Sequence, residues 1–161
     1  MSNKKFLLIY GLFSDSFYRN LKKKRGEGIL VPEGRPLLEG AKQICKRLLK
    51  LGIKPTLISD NMAGFCFYQG MVKEVHLAFQ QIKGNNAICK IGSLGLSVCA
   101  GYHHVPVYLH PAAKKTRASC QPKDIFYFAG QRIAPLGIRA YTSLIEEVPL
   151  KYITEVKRNG K

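Results

Sequence analysis

A chain of 161 residues, 46% of them hydrophobic, buries roughly 70% of its unfolded surface in one core, which excludes a scaffold dependent on disulfide staples. Its 26 basic and 10 acidic residues give a formal net charge of +16, a positive field that attracts polyanions or phosphorylated ligands without choosing between them. Five cysteines (Cys45, Cys66, Cys89, Cys99 and Cys120) are odd in number and lack C-x-x-C spacing, which argues against a disulfide framework and a zinc site alike.

Lys5 to Tyr10 reads as a first buried strand. Its basic start and short apolar run are also how a secretory leader begins, but no small-residue cleavage site follows and Tyr10-Gly11 interrupts the run. Gly28 to Pro32 is a second strand. Pro36 suits the first turn of a helix running to about Leu51, with Leu37, Leu38, Ala41, Ile44, Cys45, Leu48 and Leu49 recurring at three and four and Gly52 closing it. Pro55 to Ser59 is the third strand, and Asp60 is placed to cap a helix from about Asn61 to the residue before Gly70. Val72 to Phe79 is the fourth strand. After the loop Lys83 to Asn86, a helix is expected from about Ala87 to Tyr102, burying Ile88, Ile91, Val98 and Cys99.

Val105 to Leu109 returns as a strand, and His110 to Pro122 reads as a mobile basic loop. Ile125 to Phe128 and Tyr152 to Val156 are the last strands, with Pro149 ending a short turn or helix between them. The alternation describes an α/β chain, a mostly parallel sheet with helices on both faces, as one domain over residues 1–161. No apolar stretch approaches the roughly 20 residues of a membrane span, and a reducing, cytoplasmic setting is expected, with no cofactor and no metal.

The basic runs Lys22-Lys23-Lys24-Arg25, Lys114 to Arg117 and Lys157, Arg158, Lys161 each read as solvated faces. Against a nucleic-acid module, Phe6, Tyr10, Phe65, Phe67, Tyr68 and Phe79 fall at core-like positions instead of interleaving with them. His103-His104 and His110 have no metal-ligand spacing, Asp15 with Ser14 or Ser16 makes no triad, and neither Gly26-Glu27-Gly28 nor Gly92-x-x-Gly95 is a phosphate-loop fingerprint.

Four collinear segments carry a resemblance. Gly34-Arg-Pro-Leu-Leu-Glu-Gly-Ala41, Asp60-Asn-Met-Ala63, Lys90-Ile-Gly-Ser93 and Val105-Pro-Val-Tyr108 are similar, in order and spacing, to segments of the methylthioribose-1-phosphate isomerase and initiation factor 2B family. Tyr141-Thr142 and Tyr152 to Val156 match that family's last loop and strand more loosely. The resemblance implies the C-terminal Rossmann-like half of such proteins, a ligand crevice at the carboxyl ends of the strands, and pairing of chains into a homodimer.

The family's enzymes isomerise a phosphorylated aldose to a ketose, while its initiation-factor members keep the fold for binding. The family's catalytic Cys after the first strand has no counterpart, since Gly11 to Ser16 offers only Ser14, Asp15 and Ser16. Gln80 is read at the position of its catalytic Asp, and glutamine exchanges no proton near neutral pH. Glu39 replaces a glutamine and Cys89 an asparagine. Lys90, expected near a helix start after Gly84-Asn85-Asn86, is the leading phosphate-binding candidate, with Arg35, Asn61, Asn86, Glu39 and Gln80 around it. The expected function is therefore a non-catalytic or re-purposed domain that binds a phosphorylated sugar or nucleotide. An isomerase using Asp15 or Glu39 is the first alternative, and a basic RNA- or ribosome-associated module the second.

Overall fold

The structure, a computed structural model, describes residues 5–23 and 28–157. At the centre of the sheet lies β1 (Phe6–Tyr10), whose Leu7, Leu8 and Ile9 are fully buried because helices cover both faces. On one side stand β2 (Gly28–Pro32) and β3 (Thr56–Ile58), and on the other β4 (Val72–Lys83), with β6 (Val107–Pro111) and β10 (Glu155–Val156) beyond it. The order is β10-β6-β4-β1-β2-β3, with every neighbour parallel. This is the expected Rossmann-like α/β architecture.

Alternation along β1 sorts the two cores. Leu7 and Ile9 face α1 (Asp15–Lys23) and α2 (Cys45–Lys50), meeting Phe17, Leu21, Ile44 and Leu48. Leu8 and Tyr10 face α3 (Met62–Tyr68) and α4 (Ser93–Tyr102), meeting Cys66, Phe67, Leu96 and Ala100.

The expected helix from Ala87 is replaced over its first part by a strand. β4 does not stop at Phe79; it runs on to Lys83 and turns at Gly84, whose φ of +56° suits glycine, into β5 (Asn86–Lys90), its antiparallel partner. Ala87 and Cys89 are fully buried at a spacing of two, a strand period that Ile88 and Ile91 disguise. α4 then buries Ser93, Leu96, Ser97 and Ala100, while Val98 faces out. Ile145–Pro149, read as a turn or helix, is β9, antiparallel to β5. Of Ile125 to Phe128 the first part is a single helical turn, α5 (Lys123–Phe126), and Tyr127–Phe128 is β7, paired with β8 (Gln131–Arg132). Leu150–Tyr152 is a 3-10 turn, which leaves only Glu155–Val156 of the expected last strand.

Phe65 and Tyr68, read as core, are exposed, whereas Tyr10 and Phe67 are buried. All five cysteines are free, Cys66 and Cys89 buried and the others half-buried. Lys24, Arg25, Gly26, Glu27, Arg158 and Lys161 lie outside the described residues. Among the described residues no helix is long and apolar enough to cross a membrane.

The residues after Pro36 form a turn, and the helix opens as a π turn at Gly40–Ile44. Gly40 is required there, since a Cβ would lie 1.9 Å from the Pro32 carbonyl oxygen. Gly40→Ala should therefore cost about 2–4 kcal/mol in urea denaturation, because backbone, not a flexible side chain, blocks the methyl group. A loss below about 0.5 kcal/mol would show that β2 and the helix start are not this close.

Candidate functional site

After β3 the chain crosses to place β4 on the far side of β1, so the direction of winding reverses at β1, and ligand crevices in open α/β sheets form where such a reversal occurs. A hollow of about 420 Å³ lies there, at the carboxyl ends of the strands. Tyr10 ends β1, Arg35 and Asp60 come from the loops after β2 and β3, Asn61 opens α3, and Gly92 and Cys99 belong to the α4 side.

Asp60 does not cap α3. Its two carboxylate oxygens accept the backbone N–H groups of Gly34 (2.8 Å) and Arg35 (2.7 Å), tying the loop after β2 to the loop after β3. The Arg35 guanidinium lies over the Phe128 ring (5.3 Å) and donates to the carbonyls of Ile125 (3.2 Å) and Tyr127 (3.4 Å), so α5 and β7 form the outer rim. The Tyr10 hydroxyl donates to the Ile91 carbonyl (2.7 Å). Burial, and then the negative charges of Asp60, Glu146 and Glu39, hold that phenol well above its ordinary pKa.

Lys90 is not at a helix start. It ends β5, is buried, and forms an ion pair with the equally buried Glu39, its ammonium 5.7 Å from the centre of the Tyr10 ring. The start of α4 has an internal carboxylate of its own, since Glu146 of β9 accepts the Leu94 N–H at 2.8 Å. Ser93 Oγ beside it is fully buried.

Of the residues singled out in the sequence, Arg35 and Asn61 therefore stand on the crevice wall, and Lys90 and Glu39 lie just behind it. Asn86 sits at the far end of β5, bonded to Glu147 (2.7 Å). Gln80 lines no wall of the crevice; its neighbour Phe79 packs into the crevice-side core and pairs across the strands with Cys89. Asp15 is ion-paired with Arg47 near α2, also away from the crevice. Tyr10, Cys99 and Glu146 were not singled out; only Tyr10 had a legible signal, as the last inward residue of the first strand.

A second hollow, of about 720 Å³, opens on the α1 face. His76 Nδ1 lies 2.9 Å from His110 Nε2, and His76 Nε2 lies 3.2 Å from Glu74. The signal for this chain was the register of β4 and β6, which sets His76 opposite Tyr108 and Ala78 opposite His110. Among the described residues no group of three or more His, Cys, Asp or Glu is placed to hold a metal ion.

The Initiation factor 2 subunit family matches residues 12–156. The chain belongs to this family. It is 34% identical over 140 residues to a methylthioribose-1-phosphate isomerase of Chloroflexus aurantiacus, covering 80% of this chain and 40% of that one. A methylthioribose-1-phosphate isomerase of Thermus thermophilus is 30% identical over 159 residues, covering 91% and 48%. The chain thus spans less than half the length of these relatives. Two solved structures share the fold: the delta subunit of translation initiation factor eIF-2B from A. fulgidus (TM-score 0.84, 23% identity, 97% of this chain and 52% of that one) and 5-methylthioribose 1-phosphate isomerase from Pyrococcus horikoshii (TM-score 0.82, 24% identity, 95% and 49%).

Burial, with a smaller contribution from Glu146, pushes the Cys89 thiol up from 9.0 to about 12. Because the folded state holds this thiol protonated, its contribution to stability is fully present below pH 9.0 and is lost as pH rises toward about 12. Urea denaturation should show wild-type stability falling between pH 9.0 and about pH 10.5, and Cys89→Ala should fall less steeply, by about one proton. Equal slopes would show that water reaches Cys89.

Proposed function

We infer that the crevice binds a phosphorylated sugar, and that the domain is a binding member of its family. The observation that carries this reading is the pairing of Arg35 at the rim with Asp60 and Tyr10 further in, on one hollow at the reversal point of the sheet. The two oxygens of Asp60 each accept one backbone N–H and keep further lone pairs for ligand hydroxyls, while a guanidinium is suited to a phosphate. The relatives named for methylthioribose 1-phosphate support the same ligand class. Against catalysis by the expected groups, Asp15 and Glu39 are both held in ion pairs.

Aldose–ketose isomerisation is the second reading. It is favoured by the relatives' names and by Cys99, which brings a thiol from α4 to the crevice that Asp60 also lines. Such a pair suits proton transfer at a sugar carbon.

Thermal unfolding with methylthioribose 1-phosphate, ribose 5-phosphate and AMP tests the binding. A ligand at one hundred times its Kd adds about 2.7 kcal/mol to the wild type, and Arg35→Ala should lose most of the corresponding rise in Tm. No rise with any of the three removes the reading. Ketose formation followed by NMR separates the two readings: turnover abolished by Cys99→Ser with binding intact would establish the isomerase.

The same reading includes pairing of two copies through the outer faces of α3 and α4. Met62, Phe65 and Tyr68 recur at three on α3 and are exposed, as are Val98 and Tyr102 on α4. Phe65→Glu should convert a dimer to a monomer in sedimentation, and a wild type that is monomeric at about 100 µM, a concentration well above a micromolar dimer's Kd, removes this part.

A further inference from the structure

The cations of this chain are not spread evenly over its elements. Lys42, Lys46 and Lys50 recur at four from the π turn through α2, a spacing that puts one ammonium on each turn and advances about 6 Å per step in an α-helix. All three are exposed, as are Arg47 on the same helix and Lys54 after it. Arg47 is paired with Asp15, but none of the three lysines has a carboxylate partner among the described residues. Like charges at this spacing weaken a helix, and a polyanion laid along the stripe removes that repulsion.

A third hollow, of about 590 Å³, begins where the stripe begins. Lys42 lines it together with Lys123, Tyr127 and Phe128 from α5 and β7, while Asp124, which lines it too, is paired with Arg117. Tyr127 and Phe128 are 44% and 41% exposed. Their rings lie under guanidinium groups, Arg132 at 5.7 Å from the centre of Tyr127 and Arg35 at 5.3 Å from that of Phe128. The aromatic residues that argued against a nucleic-acid surface in the sequence are other ones; folding brings this exposed pair to lysines far away along the chain.

The combination selects among polyanions. An acidic peptide meets the lysines but brings nothing for the rings, and a duplex keeps its bases stacked on one another. A single strand uses both features, because its phosphates follow a positive track while its bases stack on aromatic faces.

We propose that Lys42, Lys46 and Lys50, with Tyr127 and Phe128 at the head of the stripe, form a binding surface for single-stranded nucleic acid. The lysines follow the backbone and the two rings take the bases. This surface goes beyond the phosphorylated-sugar reading and does not rest on it; Arg35 lines both hollows and is left unaltered in the test.

The test is fluorescence anisotropy with a labelled oligouridine of about twelve nucleotides, a length within the footprint of such tracks. It compares the wild type, the double variant Lys46→Ala with Lys50→Ala, and Tyr127→Ala. All three positions are exposed, and circular dichroism confirms folding. The wild type should bind the strand with an affinity that falls as salt rises from about 50 to about 200 mM. In the double variant the slope of log affinity against log salt should be shallower by about 1.4, which is about 0.7 for each lost phosphate contact. Tyr127→Ala should weaken binding at least about fivefold and leave the slope unchanged. A duplex of the same length should bind more weakly than the single strand.

No binding by the wild type at about 50 mM salt overturns the proposal, as does an unchanged slope in the double variant. Binding that is indifferent to Tyr127→Ala, or tighter to the duplex, reduces the stripe to a general polyanion surface and overturns it too. An oligoglutamate of the same length that binds as tightly as the strand overturns it in favour of an acidic protein.

Discussion

A lysine deprived of water must find a carboxylate, and Lys90 finds Glu39 from a position 51 residues further along the chain. That contact joins the end of β5 to the turn that enters the helix at Gly40, across the point where the sheet changes direction. The neighbouring parts depend on it. Gly40 must approach the end of β2 for Glu39 to arrive, Gly34 must lack a side chain for the ammonium to fit beneath it, and Asp60 must hold the Gly34–Arg35 backbone for the loop to stay over the pair. The wall of the crevice is the outer surface of this arrangement.

Much of the frame was legible because its periods are simple. Phe6 to Tyr10 and Gly28 to Pro32 are unbroken apolar runs bounded by loop signals, and they became buried parallel strands. The stretch from Ala87 to Tyr102 misled because two periods abut there. Ala87 and Cys89 keep a strand's alternation, α4 begins only at Ser93, and α4 buries small residues that carry little hydrophobic signal. β9 was hidden for a different reason: Glu146 and Glu147 interrupt the apolar run of Ile145–Pro149, whereas pairing with β5 delivers Glu146 to the start of α4.

The site was legible by membership more than by role. Arg35 and Asn61 reached the crevice as the sequence suggested, but Lys90 and Glu39 met each other, and nothing local to either residue announces a partner so distant in sequence. Asn86 and Gln80 missed for a geometric reason. A strand passing through Asn86 points alternate side chains apart, and β4 continues beyond Gln80 with a register shift between Phe79 and Gln81. Cys99 was read only as a buried helix residue, whereas α4 turns Ser93, Leu96, Ser97 and Ala100 to the core and leaves the half-buried Cys99 at the crevice edge.

The convergence of Asp60, Glu146 and Glu39 on one phenol also has a consequence for how a ligand arrives. Seen from a distance the molecule is a cation of formal charge +16, and its field draws anions in from solution. Close to the crevice the charges are mixed, for Asp60 and Arg35 both line it, and Glu39 behind it is paired with Lys90. An anion drawn to such a mouth meets Arg35 at the rim before the Asp60 carboxylate further in. Opposite charges at two depths of one mouth act on the order of contacts during encounter more than on final affinity.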